Sequence, residues 1–281
     1  MSGKDHRQAL IRTIKHSYLE IFPERGIEDR LELLPAGAYV AITCSSRKGI
    51  NATLDLAERL TKRRLRLVPH VSARQVIDEA HLTDIVRRLD DLQVDSVFIP
   101  GGDVAEPAGK FTSSLQVLKA MAEIDHHIEE VGVAAYPEGH PFLDARTLLK
   151  GLRDKQQFAT YMVTQMCFDP RAIIRWLADM RACGIHLPAW IGLPGVTERA
   201  KLFATALRIG VGESARFVTA HRKLLGQLFR KRSYQPDDLL MELAVYLDDP
   251  AYDIPGFHLY SFNQVESTEK WRVEMLARFE A

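Results

Sequence analysis

Cysteine is scarce in this chain of 281 residues, and the three present, Cys44, Cys167 and Cys183, form no pair at zinc-ligand spacing. So sparse and odd a count argues against a disulfide framework and suits a reducing compartment, so a cytoplasmic protein is expected. No excess of either charge is present. The 37 basic side chains balance 37 acidic ones, which removes the electrostatic footprint of a nucleic-acid or anionic-membrane binder. The basic runs Lys62-Arg63-Arg64 and Arg230-Lys231-Arg232 are short and read as solvated helix ends. No apolar run approaches the roughly 18 residues of a membrane span, and the opening residues Gly3-Lys4-Asp5-His6-Arg7 lack the apolar centre of a secretion signal. Missing motifs narrow the chemistry further. There is no G-x-G-x-x-G after the first strand and no P-loop, no G-x-S-x-G elbow, and no lysine at a strand end to form a Schiff base.

What is present is a steady alternation. The chain is 46% apolar, enough for a large core, and its length suits either two average domains or one α/β barrel of about 250 residues. Short apolar runs predict strands at Ser17–Phe22, Tyr39–Cys44, Leu65–His70, Ser96–Pro100, Gly132–Tyr136, Thr160–Met166, Ala189–Leu193 and Phe257–Phe262. Most are apolar throughout, as expected of strands covered on both faces. Amphipathic stretches between them predict helices at Ala52–Arg64, Ala73–Leu92, Ser113–Glu129, Thr147–Gln157, Pro170–Cys183 and Glu198–Ile209. Asp169-Pro170 reads as an N-cap followed by proline in the first helical position, and Gly184 as a helix stop. Repeated β-then-α order over the whole chain predicts a closed (β/α)8 TIM barrel, a single domain over residues 1–281, with an open doubly wound sheet as the alternative. The long interval from Pro194 to Gly256 is expected to hold extra helices, including Glu213–Phe229 and Pro236–Asp248.

In such a barrel the active site lies at the C-terminal ends of the strands, and polar residues collect there. Glu20 is one carboxylate in an otherwise apolar strand. Buried, it would favour its protonated form and suit general-acid work, unless it is an ordinary ion pair or a surface position. Thr43 and Cys44 end the second strand. His70 ends the third, as a site residue or a hydrogen-bonded structural histidine. Pro100-Gly101-Gly102-Asp103 ends the fourth, where paired glycines allow close backbone approach or make a tight turn that Asp103 caps. The fifth run, Val131 to Pro141, is the most telling: five apolar residues lead into Tyr136, Glu138 and His140, stiffened by prolines at 137 and 141. The sixth supplies Thr164 and Gln165, whose amide can both donate and accept, and the eighth Tyr260 and Asn263. The seventh, Gly192-Leu193-Pro194-Gly195, contributes no polar group. No set of His, Asp, Glu or Cys has metal-ligand spacing, so no metal is expected.

These residues also fall into blocks. L-E-I-F-P (19–23), P-H-V-S (69–72), G-G-D (101–103), V-A-A-Y-P-E-G-H-P (133–141), T-Q-M-C-F-D (164–169), A-K-L-F (200–203) and G-F-H-L-Y-S-F-N (256–263) occur in the order and spacing of one family. The chain resembles the catalytic domain of 5,10-methylenetetrahydrofolate reductase. The resemblance implies a (β/α)8 barrel that reduces the methylene bridge of the folate to a methyl group, with NADH or NADPH as reductant. It places Glu20 as the general acid and Asp103 beside the pterin. Gln165 would hydrogen-bond the folate and Phe203 pack on it, with Tyr260 and Asn263 also on the substrate. It implies FAD as well, lined by Thr43, His70, Gly102, Tyr136 and His140.

Other positions depart from that pattern. The family's L-R-G-D is Pro100-Gly101-Gly102-Asp103 here, so an arginine is lost, and Asp154 falls where a phosphate-binding lysine is expected. A carboxylate near a diphosphate repels it. The expectation is therefore weak or absent FAD binding and direct hydride transfer from nicotinamide to the folate, although Lys150, Arg153 and Lys155 remain as cations that could hold phosphate. FAD-dependent reduction and a non-catalytic folate-binding homologue are the competing readings.

Overall fold

In the computed structural model the described residues are 3–198, 202 and 233–280. Eight parallel strands form the sheet: β1 (Tyr18–Ile21), β2 (Tyr39–Ile42), β3 (Arg66–Pro69), β4 (Ser96–Phe98), β5 (Glu130–Ala135), β6 (Tyr161–Thr164), β7 (Ala189–Pro194) and β10 (Phe257–Tyr260), paired in the order β3-β2-β1-β10-β7-β6-β5-β4. The two ends of that row meet at a parallel bridge between His70 and Phe98. Across it Val71 N–H donates to Phe98 O at 2.8 Å, and Ala73 N–H to Pro100 O at 3.0 Å. The sheet is thus a closed TIM barrel, which excludes the open doubly wound alternative. A two-residue ribbon, β8 (Thr197–Glu198) with β9 (Ser233–Tyr234), lies outside the barrel sheet.

Strand alternation sorts side chains between two cores. Leu19, Ile21, Phe257 and Leu259 point outward into the layer between strands and helices. Tyr18, Ala41, Val68, Phe98, Tyr161 and Val163 form a separate cluster inside the barrel. Tyr18 stacks on Tyr161 with centroids 6.1 Å apart. Their strands are not neighbours in the sheet, so the contact crosses the lumen and fills its lower half with aromatic rings.

The helices of the described residues are α1 (Gly3–Lys15), α2 (Ile27–Arg30), α3 (Gly49–Leu60), α4 (Glu79–Asp91), α5 (Ser114–Met121), α6 (Ala145–Lys155), α7 (Pro170–Ala182), α8 (Asp237–Leu243) and α9 (Val265–Glu280). Asp169 caps α7 by accepting from Arg171 N–H at 2.9 Å, with Pro170 behind it, as the sequence predicts. Three expectations are corrected. The stretch 73–92 is a 3-10 turn followed by α4, because Asp78 accepts from His81 N–H and starts a new helix. Helix α5 ends at Met121 rather than Glu129. Strand β5 begins two residues earlier than predicted, since Glu129 and Glu130 both donate to Asp95 O. Helices α1 and α9 have no counterpart in the sequence reading, and they pack together with Lys15 bonded to Glu280 at 2.8 Å. The predicted helix Pro236–Asp248 appears as α8 and a 3-10 turn. The predicted helix Glu213–Phe229, nearly all of Glu198–Ile209, and the site residue Phe203 lie outside the described residues. No helix among the described residues is long and apolar enough to cross a membrane.

Candidate active site

Glu20 is the third residue of β1, on the lumen face with Tyr18, and is 7% exposed. It is not a lone carboxylate. His258 of β10 lies beneath it, and its Nε2 sits 2.9 Å from Glu20 Oε2. Nothing in the local sequence around Glu20 announces this partner. The available signal was the spacing of His258 from Tyr260, which places both on one face of the last strand. His70 of the closure seam completes the group, its ring 6.1 Å from that of His258. Burial first, and His258 second, hold the His70 imidazole well below its usual range, so it is neutral. Its Nε2 is buried without a partner among the described residues. Tyr260 covers the group from β10, its ring 4.9 Å from His258 and its hydroxyl donating to Thr164 O at 3.0 Å. Burial, then Glu20, then Tyr136 push its phenol well up.

Glu20, His70 and His258 each offer one ligand atom within 4.8 Å of the others, a set that sequence spacing does not reveal. Tetrahedral zinc with bonds of about 2.05 Å would need ligand atoms about 3.3 Å apart. Glu20 and His258 stand at 2.9 Å, inside that separation, and already satisfy each other. The group is better suited to handling a proton than to gripping a metal.

The opposite side of the mouth is built on β4 and β5. Asp103 lies on an exposed loop that Arg74 holds in place. The Arg74 guanidinium donates to Val104 O at 2.9 Å, Thr112 O at 3.3 Å and, in a short contact, Ala105 O. Gly102 takes φ +94°, and a Cβ there would sit 3.1 Å from Ser72 Cβ, so the turn admits little else. Burial and then the Asp103 charge push the Tyr136 phenol up to about 12. His140 is lowered by burial, and Asp103 opposes that shift. Asp103, Tyr136 and His140 therefore share one electrostatic neighbourhood. Tyr136 meets His140 edge-on at 5.0 Å, and His140 meets Phe142 at 5.9 Å. Phe142 is 87% exposed.

Between the two sides, Gln165 accepts from Met166 N–H at 2.9 Å, and its amide nitrogen has no partner among the described residues. Strand β7 contributes space. A Cβ on Gly192 would lie 2.3 Å from Thr164 O and 2.7 Å from the Tyr260 ring, so the residue without a polar group is the one that lets Tyr260 and Gln165 sit where they do. Asn263 takes φ +60°, and its amide is occupied. Its Oδ1 accepts from Phe22 N–H at 2.8 Å, while Nδ2 donates to Phe22 O at 3.2 Å and Glu24 Oε2 at 2.6 Å. It ties the end of β10 to the end of β1.

The family model for methylenetetrahydrofolate reductase matches residues 23–271. The chain belongs to the methylenetetrahydrofolate reductase family. Glu20 lies just before the matched span, and His70, Asp103, Tyr136, His140, Gln165, His258 and Tyr260 lie within it. Among curated relatives, methylenetetrahydrofolate reductase 1 of Schizosaccharomyces pombe is 39% identical over 72 residues, 24% of this chain and 12% of that protein. Methylenetetrahydrofolate reductase 2 of Saccharomyces cerevisiae is 34% identical over 80 residues, 27% of this chain and 13% of that protein. The matched stretches thus span about an eighth of those relatives' length. Among solved structures, an uncharacterized protein from Clostridium thermocellum, described as binding two copies of 5-methyl-5,6,7,8-tetrahydrofolic acid, aligns over 98% of both chains with a TM-score of 0.64 at 13% identity. At that identity the likeness is one of fold.

Members of this family are associated with FAD, and the residues fit one part of it. Thr43 Oγ1 and His70 Nε2 are buried without partners, and Tyr136 and His140 form an aromatic wall, all suited to a heterocyclic ring. The diphosphate fares worse. Lys150 is paired with Asp154, Arg153 donates to Cys183 O at 3.0 Å at the far end of α7, and the Arg74 guanidinium is occupied by three carbonyls. Lys155, half-buried in the last turn of α6, is lowered to about 8 by burial. Among the described residues, the set fits a flavin's ring and offers few free cations to its diphosphate.

Proposed function

We propose that this protein reduces 5,10-methylenetetrahydrofolate to 5-methyltetrahydrofolate with NADH or NADPH, and that hydride passes directly from the nicotinamide to the folate. The observation that carries the reading is Glu20: a buried carboxyl in the lumen, held by His258 at 2.9 Å, inside a barrel of this family. Glu20 protonates the bridging amine of the five-membered ring. The C–N bond opens with its electron pair on that nitrogen, leaving an iminium carbon that accepts the hydride. The folate gains one proton and one hydride, the nicotinamide is oxidised, and Glu20 recovers its proton from solvent. Asp103 stabilises the cationic iminium from across the mouth, and the Gln165 amide nitrogen, unpartnered among the described residues, is available to the pterin edge. Tyr260 packs on the substrate, and Asn263 supports it through the Phe22 backbone rather than by touching it. Thr43, His70, Gly102, Tyr136 and His140 line the nicotinamide's part of the pocket. The departures from the family's flavin contacts, Gly101 in place of an arginine and Asp154 in place of a lysine, support the flavin-free route, and no step is assigned to flavin.

One preparation tests this. The purified protein is expected to lack a stoichiometric flavin band and to oxidise NADH or NADPH only when methylenetetrahydrofolate is added. A full flavin band removes the direct route in favour of the FAD-dependent one. No oxidation with either nicotinamide, alongside retained folate binding, favours a non-catalytic folate-binding protein.

A further inference from the structure

His258 is 2% exposed and has one hydrogen bond among the described residues, between its Nε2 and Glu20 Oε2. Its other ring nitrogen, Nδ1, is buried with no partner among the described residues. An N–H at Nδ1 would be a buried donor with nothing to accept it, which is the costly arrangement. The proton of the neutral ring therefore belongs on Nε2, from which it is donated to Oε2. The second carboxyl oxygen, Oε1, has no hydrogen-bond partner among the described residues.

We propose that His258 is a positioning residue for the acid: by donating Nε2–H to Oε2 it leaves Oε1 as the one oxygen that carries and delivers the Glu20 proton. This rests on the reduction proposed above and adds how its proton is aimed. On transfer, the O–H bond at Oε1 breaks and an N–H bond forms on the folate amine. The His258 N–H stays on Oε2 and stabilises the carboxylate left behind. The ring does not change tautomer during the step. The titratable groups facing the pair are Tyr18 from β1, His70 just after β3 and Tyr260 from β10, with Tyr136 acting on Tyr260. Burial keeps the three phenols protonated and His70 neutral, so none of them competes as a proton source near neutral pH.

Two measurements test the proposal, one without turnover. In the wild-type protein, nitrogen NMR of 15N-histidine should find His258 with a protonated Nε2 and a bare Nδ1 at neutral pH. An Nδ1–H tautomer or an imidazolium overturns it. In the steady state, His258→Leu should lower kcat by about 100-fold, the lower end of the effect of a positioned proton donor, with the folate KM little changed. His258→Gln, which keeps an N–H donor of similar reach, should recover about tenfold of that loss. In the Leu variant the carboxylate loses its donor, so the limb where kcat falls with rising pH should move to higher pH. Equal rates in the Leu and Gln variants, or an unmoved limb, would show a packing role alone and overturn the proposal. Wild-type protein with the expected tautomer but no turnover fails the reductase reading instead, so the two failures are distinguishable.

Discussion

The two sides of the barrel mouth follow opposite building rules. On the β1–β10 side, Glu20, His258 and Asn263 are fixed by hydrogen bonds that run between the first and last strands: Glu20 to His258, Ser261 to the Glu20 carbonyl, and Asn263 to both backbone groups of Phe22. On the β5 side, Tyr136, His140 and Phe142 form a ladder of ring edges that climbs from the pocket into solvent. A proton donor must be held within a fraction of an ångström to act in a transition state, and a networked, buried carboxyl satisfies that demand. A cosubstrate must enter and leave each cycle, and an open aromatic wall gives contact area without locking the ligand in. On the proposed reaction, the first side carries the proton transfer, and the second holds the exchangeable cosubstrate, with Asp103 reaching across to the iminium.

Substitutions sharpen or break that division. The largest effect belongs to Glu20→Gln, which keeps shape and removes the acid. It is expected to cut kcat by about 100-fold to 10,000-fold, the range for general acid catalysis, with an unchanged circular-dichroism spectrum. Comparable turnover in that variant would move the acid elsewhere. Next comes Gly192→Ala, whose methyl meets the Thr164 carbonyl and the Tyr260 ring. Overpacking of this kind costs about 1–3 kcal/mol, to be read as a lower urea midpoint. On the open side, His140→Ala should raise the KM for the nicotinamide about tenfold and leave kcat within about threefold, the signature of lost uniform binding. If it lowers kcat as far as the Glu20 variant does, the division of labour fails.

A smaller effect is expected for Tyr136→Phe. With the phenol held up near 12 by burial and by Asp103, it stays protonated from about pH 6 to 10, so the variant should reproduce the wild-type pH profile over that range. A new inflection there would assign Tyr136 a proton. The smallest change should come from Phe142→Ser. A ring 87% exposed contributes little to folding, so chemical denaturation should shift by no more than about 0.5 kcal/mol.

Much of this was legible in the residues themselves. Buried parallel strands are runs of apolar residues, and most of the eight register as such, so the barrel follows from a local pattern repeated along the chain. Helix ends with explicit caps, such as Asp169-Pro170, were equally readable. Element limits were not where a distant backbone group decides them, as at Glu129 and Glu130, which both pair with Asp95. The end helices α1 and α9 were overlooked because their stability comes from packing on each other at the meeting of the chain's two ends.

The sequence by itself determined the fold class, the family and the location of polar residues at strand ends, because each rests on composition within a few neighbouring positions. Tertiary structure decided how those residues act. It paired Glu20 with His258 across 238 positions, placed His70 at the seam that closes the barrel, turned Asn263 into a brace and occupied the Arg74 guanidinium with a loop. Partners of this kind are set by strand register and ring closure, quantities that exist only once the first and last strands lie side by side.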